Sequence, residues 1–334
     1  MSAQALTTGE CRTMLLLSPG WVLPVAVVAL LADALLGEPA WLYRRLPHPV
    51  RLIGTGIAWL EGRLLDPAMP DRRKRRAGVL LLVTVAATSA AIGLALHAAL
   101  AGLTAGWVVE GLLMSTLLAQ RSLAQHVAAV ADGLARGLGE GRRAVAMIVG
   151  RDPDRLEEAA VGRAALESLA ENLSDGVVAP LFWALIAGLP GILAYKAVNT
   201  LDSMVGHRSE RYLQFGWASA RCDDLVNLAP ARLTGALLCL VGARKSGWSV
   251  MRRDAGRHRS PNAGWPEAAM AAALGVRLAG PRVYGGVTVP DAWMGDGRPD
   301  VTPTDIRRGV ALAWRVWWLL AVPLTVAALI EAAR

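Results

Sequence analysis

The sequence predicts an all-α, polytopic integral membrane protein. It would have about four transmembrane helices, with four to six crossings allowed, plus a helical region that is partly re-entrant and partly cytoplasmic. Three observations carry this. Hydrophobic residues make up 54% of the chain and mean hydropathy is +0.38, too apolar for an ordinary soluble domain. From Ala77 to Val109 there is no Asp, Glu, Lys or Arg. Directly before that stretch stands DRRKRR at 71–76, a basic run of the kind that marks the cytoplasmic end of a span.

The net charge of +8 could be read as a nucleic-acid footprint. Here the arginines flank apolar segments, so topology and anionic lipid account for the charge, and no nucleic-acid partner is expected. Cys11, Cys222 and Cys239 form no CxxC pair, and the five histidines form no HxxxH pair. Zinc and haem sites therefore have no support, and the cysteines read as reduced and structural. There is no GxxxxGK[ST] and no GxSxG, which excludes a P-loop and a nucleophile elbow.

The elements follow in order. MSAQALTTGECRT is polar and patternless, so 1–19 is expected to be a disordered extension, with Met14 an alternative start. Segment 20–37 reads as a retained helix, not a cleaved signal. The stretch 77–109 is too long for one helix across a core of about 30 Å. Gly102, Thr104 and Gly106 offer a turn, which divides it into spans at 78–99 and 106–124. Segment 309–330, headed by Trp314, Arg315, Trp317 and Trp318, makes the fourth span. Both termini then lie outside and 125–308 faces the cytoplasm. This divides the chain into 1–19, 20–124, 125–308 and 309–334. Segment 177–198 is apolar but interrupted by Pro180 and by GLPG at 188–191, which fits a re-entrant hairpin. Segment 233–243 is too short to cross. No run of alternating strands is visible.

The middle region holds the polar clusters. In DPDRLEEAAVGRAALESLAENLSDG, Asp152 and Pro153 read as the N-cap and first residue of a helix. Glu167, Glu171 and Asp175 fall at i, i+4 and i+8, with Asn172 beside them. Like charges on one helix face repel, and a divalent cation such as Mg²⁺ would relieve that; a solvated acidic face gives the same spacing. Next, Lys196, Asn199 and Asp202 share a broad face, followed by His207 and Arg208. Then come Arg221, Asp223, Asp224, Asn227 and Arg232. Carboxylates that hold a cation beside Lys and Arg that hold phosphate suit a metal–phosphate site, although surface salt bridges would read alike. Asn262 precedes a helix expected near Pro266 whose free amides can hold an anion, and Arg277 and Tyr284 follow it. His48, between two prolines, reads as an acid, a base or a packing residue.

Together these stretches resemble the CobD/CbiB family, the adenosylcobinamide-phosphate synthases of cobalamin biosynthesis. The resemblance rests on GEPAWLYRRLPHPVRLIG, on the series ExxxENxSDG…P…YKxxNTxDSMxGH…DDxxNxxPAR, and on SPNAGWPEAAMAAALGVRLAGPRVYGG. It implies an inner-membrane enzyme with its active site toward the cytoplasm. The enzyme joins adenosylcobyric acid, a corrinoid, to (R)-1-amino-2-propanol O-2-phosphate through an amide bond, using ATP and Mg²⁺. Under that reading Glu167, Glu171, Asn172, Asp175, Asp202, Asp223 and Asp224 surround the metal. Lys196, Arg208 and Arg221 hold ATP or the amine's phosphate, and Asp202 or His207 takes the amine proton. Asn199, Asn227, Arg232, Asn262, Arg277, Tyr284 and His48 are further substrate contacts. A homo-oligomer, or association with other late cobalamin-pathway enzymes, fits the same reading. Two other functions fit the composition: a Mg²⁺-dependent intramembrane prenyl- or alcohol-phosphotransferase, and a corrinoid transporter or binding protein.

Overall fold

The computed structural model describes residues 19–39, 43–150, 153–242, 246–284, 287–289 and 291–334. The expected disordered extension falls almost wholly outside them. The chain divides into two compact units: one of 1–119, 179–226 and 321–334, the other of 120–178 and 227–320.

The first unit is built from helices α1 (Pro19–Leu36), α2 (Pro49–Leu64), α3 (Asp71–Leu100) and α4 (Gly106–Ser115). To these it adds α8 (Ala179–Val205) and α9 (Trp217–Val226). Its core packs Ile57, Leu81, Val85, Leu201 and Phe215. Glycines set how closely α3 approaches its neighbours. A methyl at Gly93 would stand 2.6 Å from Pro190 Cα, and one at Gly78 would overlap the Phe215 carbonyl. No side chain fits at either place, so the backbones touch.

Helix α8 is broken where the GLPG interruption is expected. Ala187 has φ −138° and ψ 20°, and Gly188 has φ 61° and ψ −150°, a conformation that only glycine adopts readily. Pro190 then falls in the first turn of the second arm, where its missing amide costs no hydrogen bond. Pro180 follows closely on the π turn Ser174–Val178, where the regular α pattern of the stretch is interrupted.

The span expected at 106–124 is not one helix. Ser115 and Thr116 turn their hydroxyls onto the carbonyls of Leu112 and Leu113, α4 ends after ten residues, and a new helix starts at Gln120. Inside α4, Glu110 is almost wholly buried, and the sequence analysis gave it no role. Its Oε2 accepts the Trp21 indole N–H at 2.9 Å and lies 3.0 Å from His97 Nδ1, so the carboxylate has partners in apolar surroundings.

The second unit contains α5 (Gln120–Arg136), α6 (Leu138–Val145) and α7 (Glu158–Leu173), followed by one π-helical turn, Ser174–Val178. It continues with α10 (Leu228–Gly242), α11 (Gly247–Asp254) and α12 (Gly264–Leu274). The long α13 (Pro303–Ala332) gives residues to both units. The core is apolar, around Leu166, Leu169, Leu238, Met270 and Ile306. Helix α7 starts at Glu158, later than the start expected at Pro153, and Asp152 lies outside the described residues. Two short antiparallel ladders, which the sequence did not announce, lie between α12 and α13. They pair β1 (Leu278–Ala279) with β4 (Trp293–Met294), and β2 (Arg282–Tyr284) with β3 (Val287–Val289). The start of α13 is capped: Thr302 Oγ1 donates to Asp305 Oδ2 at 2.7 Å.

Among the described residues, three helical stretches are long and apolar enough to cross a membrane: Asp71–Leu100, Glu158–Val205 and Pro303–Ala332. Counting α9 and α10 as one broken span gives four. Helix α1 is apolar but shorter. The chain is thus an all-α, polytopic membrane protein.

The glycines give a paired test. Gly78→Ala is expected to lower stability by about 1–3 kcal/mol, because the methyl meets backbone that cannot step aside. Gly62→Ala in α2, with nothing within 4 Å, is expected to raise it by about 0.5–1 kcal/mol through helix propensity. Chemical unfolding midpoints in detergent measure both.

Candidate functional site

In the first unit, the second arm of α8 carries Lys196, Asn199 and Asp202. A loop, 206–216, then leads to α9, which carries Arg221, Asp223 and Asp224. The fold brings these together. Asn199 Nδ2 donates to Asp223 Oδ1 over a long 3.4 Å, and Asp223 is buried. Asp202 lies within electrostatic reach of Asp224 and His207, and Asp224 within reach of Arg221 and Arg208. Gly206 makes room for this at the end of α8, since a methyl there would overlap the Asp202 carboxylate.

The loop is held in place by α2. Glu61, itself buried, accepts at one oxygen from Arg211 Nη2 at 2.7 Å, Arg211 Nε at 3.1 Å and the Tyr212 hydroxyl at 2.9 Å. Arg75 Nε donates to Gln214 Oε1 at 2.6 Å and the same guanidinium stacks over Trp217. His207 and Arg208 hang between the end of α8 and these anchors.

A cavity of about 560 Å³ opens in the same unit, lined in part by His48, Arg51 and Lys196. His48 is the N-cap of α2: its Nδ1 accepts the Val50 amide at 3.2 Å, so the neutral ring carries its proton on Nε2. Half-burial holds the ring below the usual imidazole range. Glu38 opposes that, while the charges of Lys196 and Arg51 add to it.

The second unit holds the remaining candidates, and most already have structural work. Glu167 is buried, and its Oε1 accepts the amide of Ala279, a residue held at φ 57°. Asn172 donates to the Ser168 carbonyl at 2.9 Å. Glu171 is exposed and Asp175 half-buried. Because the π turn begins at Ser174, Asp175 leaves the α register, and the three carboxylates do not share one uninterrupted α face. Asn227 is buried. Arg232 donates to the Leu228 carbonyl and lies over the Trp265 ring. Helix α12 starts at Gly264, two residues earlier than expected, and the Asn262 and Ala263 amides both donate to Ser260 Oγ. Of the amides in the first turn of α12 itself, Trp265 donates to the Asn262 carbonyl at 3.1 Å, and Pro266 has no N–H to offer an anion. Arg277 is exposed, Tyr284 lies in β2, and its side chain falls outside the described residues. Among the described residues, no three His, Cys, Asp or Glu side chains are gathered where they could hold a metal ion.

The family model of the CobD/CbiB proteins matches residues 26–313. The chain belongs to the CobD/CbiB family. It is 50% identical over 310 residues to a cobalamin biosynthesis protein CobD of Sinorhizobium sp, covering 90% of this chain and 96% of that protein. A Rhodobacter capsulatus protein of the same name is 54% identical over 291 residues, covering 86% of this chain and 91% of that one. One from Brucella suis is 48% identical over 307 residues, 89% and 94%. No solved structure matches.

In this CobD/CbiB chain the fold gathers the α8 and α9 candidates into one cluster and sets His48 on the cavity wall. Absent from the sequence-based candidates are Glu61, the anchor of the loop, and Glu38, Tyr43 and Arg51 in the cavity wall. Glu61 had a signal in retrospect: it is the lone carboxylate among the apolar inward positions Ile53, Ile57, Leu60 and Leu64 of α2.

Two outcomes are expected. Glu61→Ala should release the loop, lowering Tm by a few degrees and exposing 206–216 to limited proteolysis before any helix is cut. His48 should titrate below pH 6.5, followed by its imidazole NMR signals and assigned with His48→Gln. Its folded-state value being depressed, its stability contribution is complete above about pH 6.5 and is lost as the pH falls through that lower value.

Proposed function

We propose that the chain is the amide synthase that joins adenosylcobyric acid to (R)-1-amino-2-propanol O-2-phosphate, with ATP as the activating co-substrate. Membership of a cobalamin-biosynthesis family supports the pathway. The observation that carries the chemistry is the α8–α9 cluster, which sets Asn199, Asp202, Asp223 and Asp224 among Arg208, Arg221 and His207.

A carboxylate does not accept an amine until one of its oxygens becomes a leaving group. A carboxylate oxygen of the corrinoid takes the γ-phosphoryl group of ATP, releasing ADP. The amine nitrogen then bonds to the acyl carbon, and phosphate departs with the electrons of the broken C–O bond. The nitrogen's proton goes to Asp202 or His207, whose charges sense one another. Arg208 and Arg221 stand beside Asp224, where phosphate oxygens would gather. The donor set is hard oxygen, carboxylate and amide, which fits Mg²⁺. That ion is commonly held by one or two carboxylates together with substrate phosphates, so it needs no three-carboxylate cage from the chain. Mg²⁺ would supply neutralisation of phosphate charge; one or two of Asp202, Asp223 and Asp224 would hold it together with the substrate phosphates.

The test uses purified protein with adenosylcobyric acid, aminopropanol phosphate, ATP and Mg²⁺, with mass spectrometry following the condensed corrinoid and the fate of ATP. Asp202→Ala and Asp223→Ala should each cut the rate about 10²-fold or more. Wild-type rates in both variants would remove the cluster from the reaction, and no condensed corrinoid from the wild type would remove the function.

A further inference from the structure

The cavity in the first unit has a definite charge pattern. Arg51 and Lys196 are cations and Glu38 is an anion, so with His48 neutral the wall carries a net charge of about +1. Two neutral donors face the same space. His48 offers Nε2–H, because Nδ1 is occupied by the Val50 amide. Tyr43, packed 4.7 Å from the His48 ring, keeps its phenol proton, since burial and then the Glu38 charge raise it. Leu117 adds an apolar surface. The complement of such a wall is a small molecule with a dianionic end, a single cationic end and a short carbon chain. A phosphate monoester carries about −1.5 to −2 at neutral pH and a primary ammonium +1, which leaves close to −1. The volume of about 560 Å³ suits a small ligand and not a corrin macrocycle.

We propose that this cavity binds the amine substrate as an amino-alcohol phosphate, its phosphate on Arg51, Lys196 and His48 and its ammonium on Glu38. The proposal rests on the amide-synthase reading and extends it to residues outside the α8–α9 cluster. Lys196 ties the two places together, because it stands on the same helical arm as Asp202. At 1.5 Å rise per residue, the two lie roughly 9 Å apart along the axis. Lys196 therefore sets the cavity less than two helical turns along α8 from the cluster where the acyl group would be activated.

The experiment is isothermal titration of full-length protein in nanodiscs, without ATP or corrinoid. The titrants are (R)-1-amino-2-propanol O-2-phosphate, inorganic phosphate and 1-amino-2-propanol. The wild type should bind the amino phosphate more tightly than either fragment. Glu38→Gln should weaken the amino phosphate about 10-fold and leave inorganic phosphate unchanged; Arg51→Gln should weaken both about 10-fold. Both side chains are exposed, and Glu38 lies outside every helix, so folding is not at risk. Unchanged affinity in both variants overturns the proposal, as does equal binding of the phosphate-free amine. If the wild type makes the condensed corrinoid while these variants bind normally, the cavity assignment fails and the function stands. If the variants show the expected split while no condensation occurs, the function fails and the cavity stands.

Discussion

One oxygen of Glu61 accepts three hydrogen bonds, two from Arg211 and one from Tyr212. The loop that carries His207 and Arg208 is anchored in the core by Phe215 and Tyr212 at its far end, but between Val205 and Tyr212 it has no apolar side chain of its own. A buried carboxylate supplies the missing constraint, and it does so cheaply because its desolvation is answered by three donors at once. Remove that acceptor, and the distance between the end of α8 and the start of α9 is no longer set. With it would go the pairing of Asn199 with Asp223 and the approach of Asp202 to Asp224. The close backbone contact of Gly78 with Phe215 serves the same purpose from the α3 side.

Helix α8 shows how an apolar chain places polar chemistry. Its first arm, Ala179–Ile186, has no charged residue. The break at Ala187–Gly188 redirects the chain, and the second arm gathers Lys196, Asn199 and Asp202 towards its C-terminal end. The apolar and polar tasks are thus separated by a glycine that alone tolerates the required φ, instead of being superposed on the two faces of one straight helix. The acidic stretch before it is resolved differently. The sequence invites the idea that Glu167, Glu171 and Asp175 are neutralised together, yet Glu167 is already answered by the Ala279 amide and the π turn moves Asp175 out of register.

What was legible in the sequence divides along physical lines. Long uncharged runs and the GLPG break are local signals, and both appear in the fold. The α8 and α9 residues were legible because their spacing within each helix is fixed by the 3.6-residue turn. The 106–124 span failed because composition does not register the turn at 116–119 that separates α4 from α5. Glu61 stood out only as a lone carboxylate on an apolar face, and its partners Arg211 and Tyr212 lie 150 and 151 residues on; Glu38 and Arg51 gained a place only when Lys196 of α8 was brought to the same cavity wall. The tie between Glu167 and Ala279, 112 residues apart, belongs to the same class.

The second unit supplies a criterion for telling a structural carboxylate from a chemical one. Asp254 is wholly buried. Burial alone would raise its carboxyl, but the Arg253 hydrogen bonds, the Gly295 amide and the Arg257 charge together hold it below the ordinary range. Asp305 is likewise engaged by Thr302 and Arg298. Each is saturated by donors from its own unit, and adding a ligand would mean breaking bonds already made. Asp202 and Asp224 differ in that each sits beside another carboxylate as well as beside groups of mixed sign. Like charges held close are unfavourable unless something arrives to share them, and the chain holds them close by backbone constraint. Under the proposed amide-synthase function, that arrangement would gain stability when a cation or a phosphate-bearing substrate enters, which is the direction a catalytic site requires and a structural one does not.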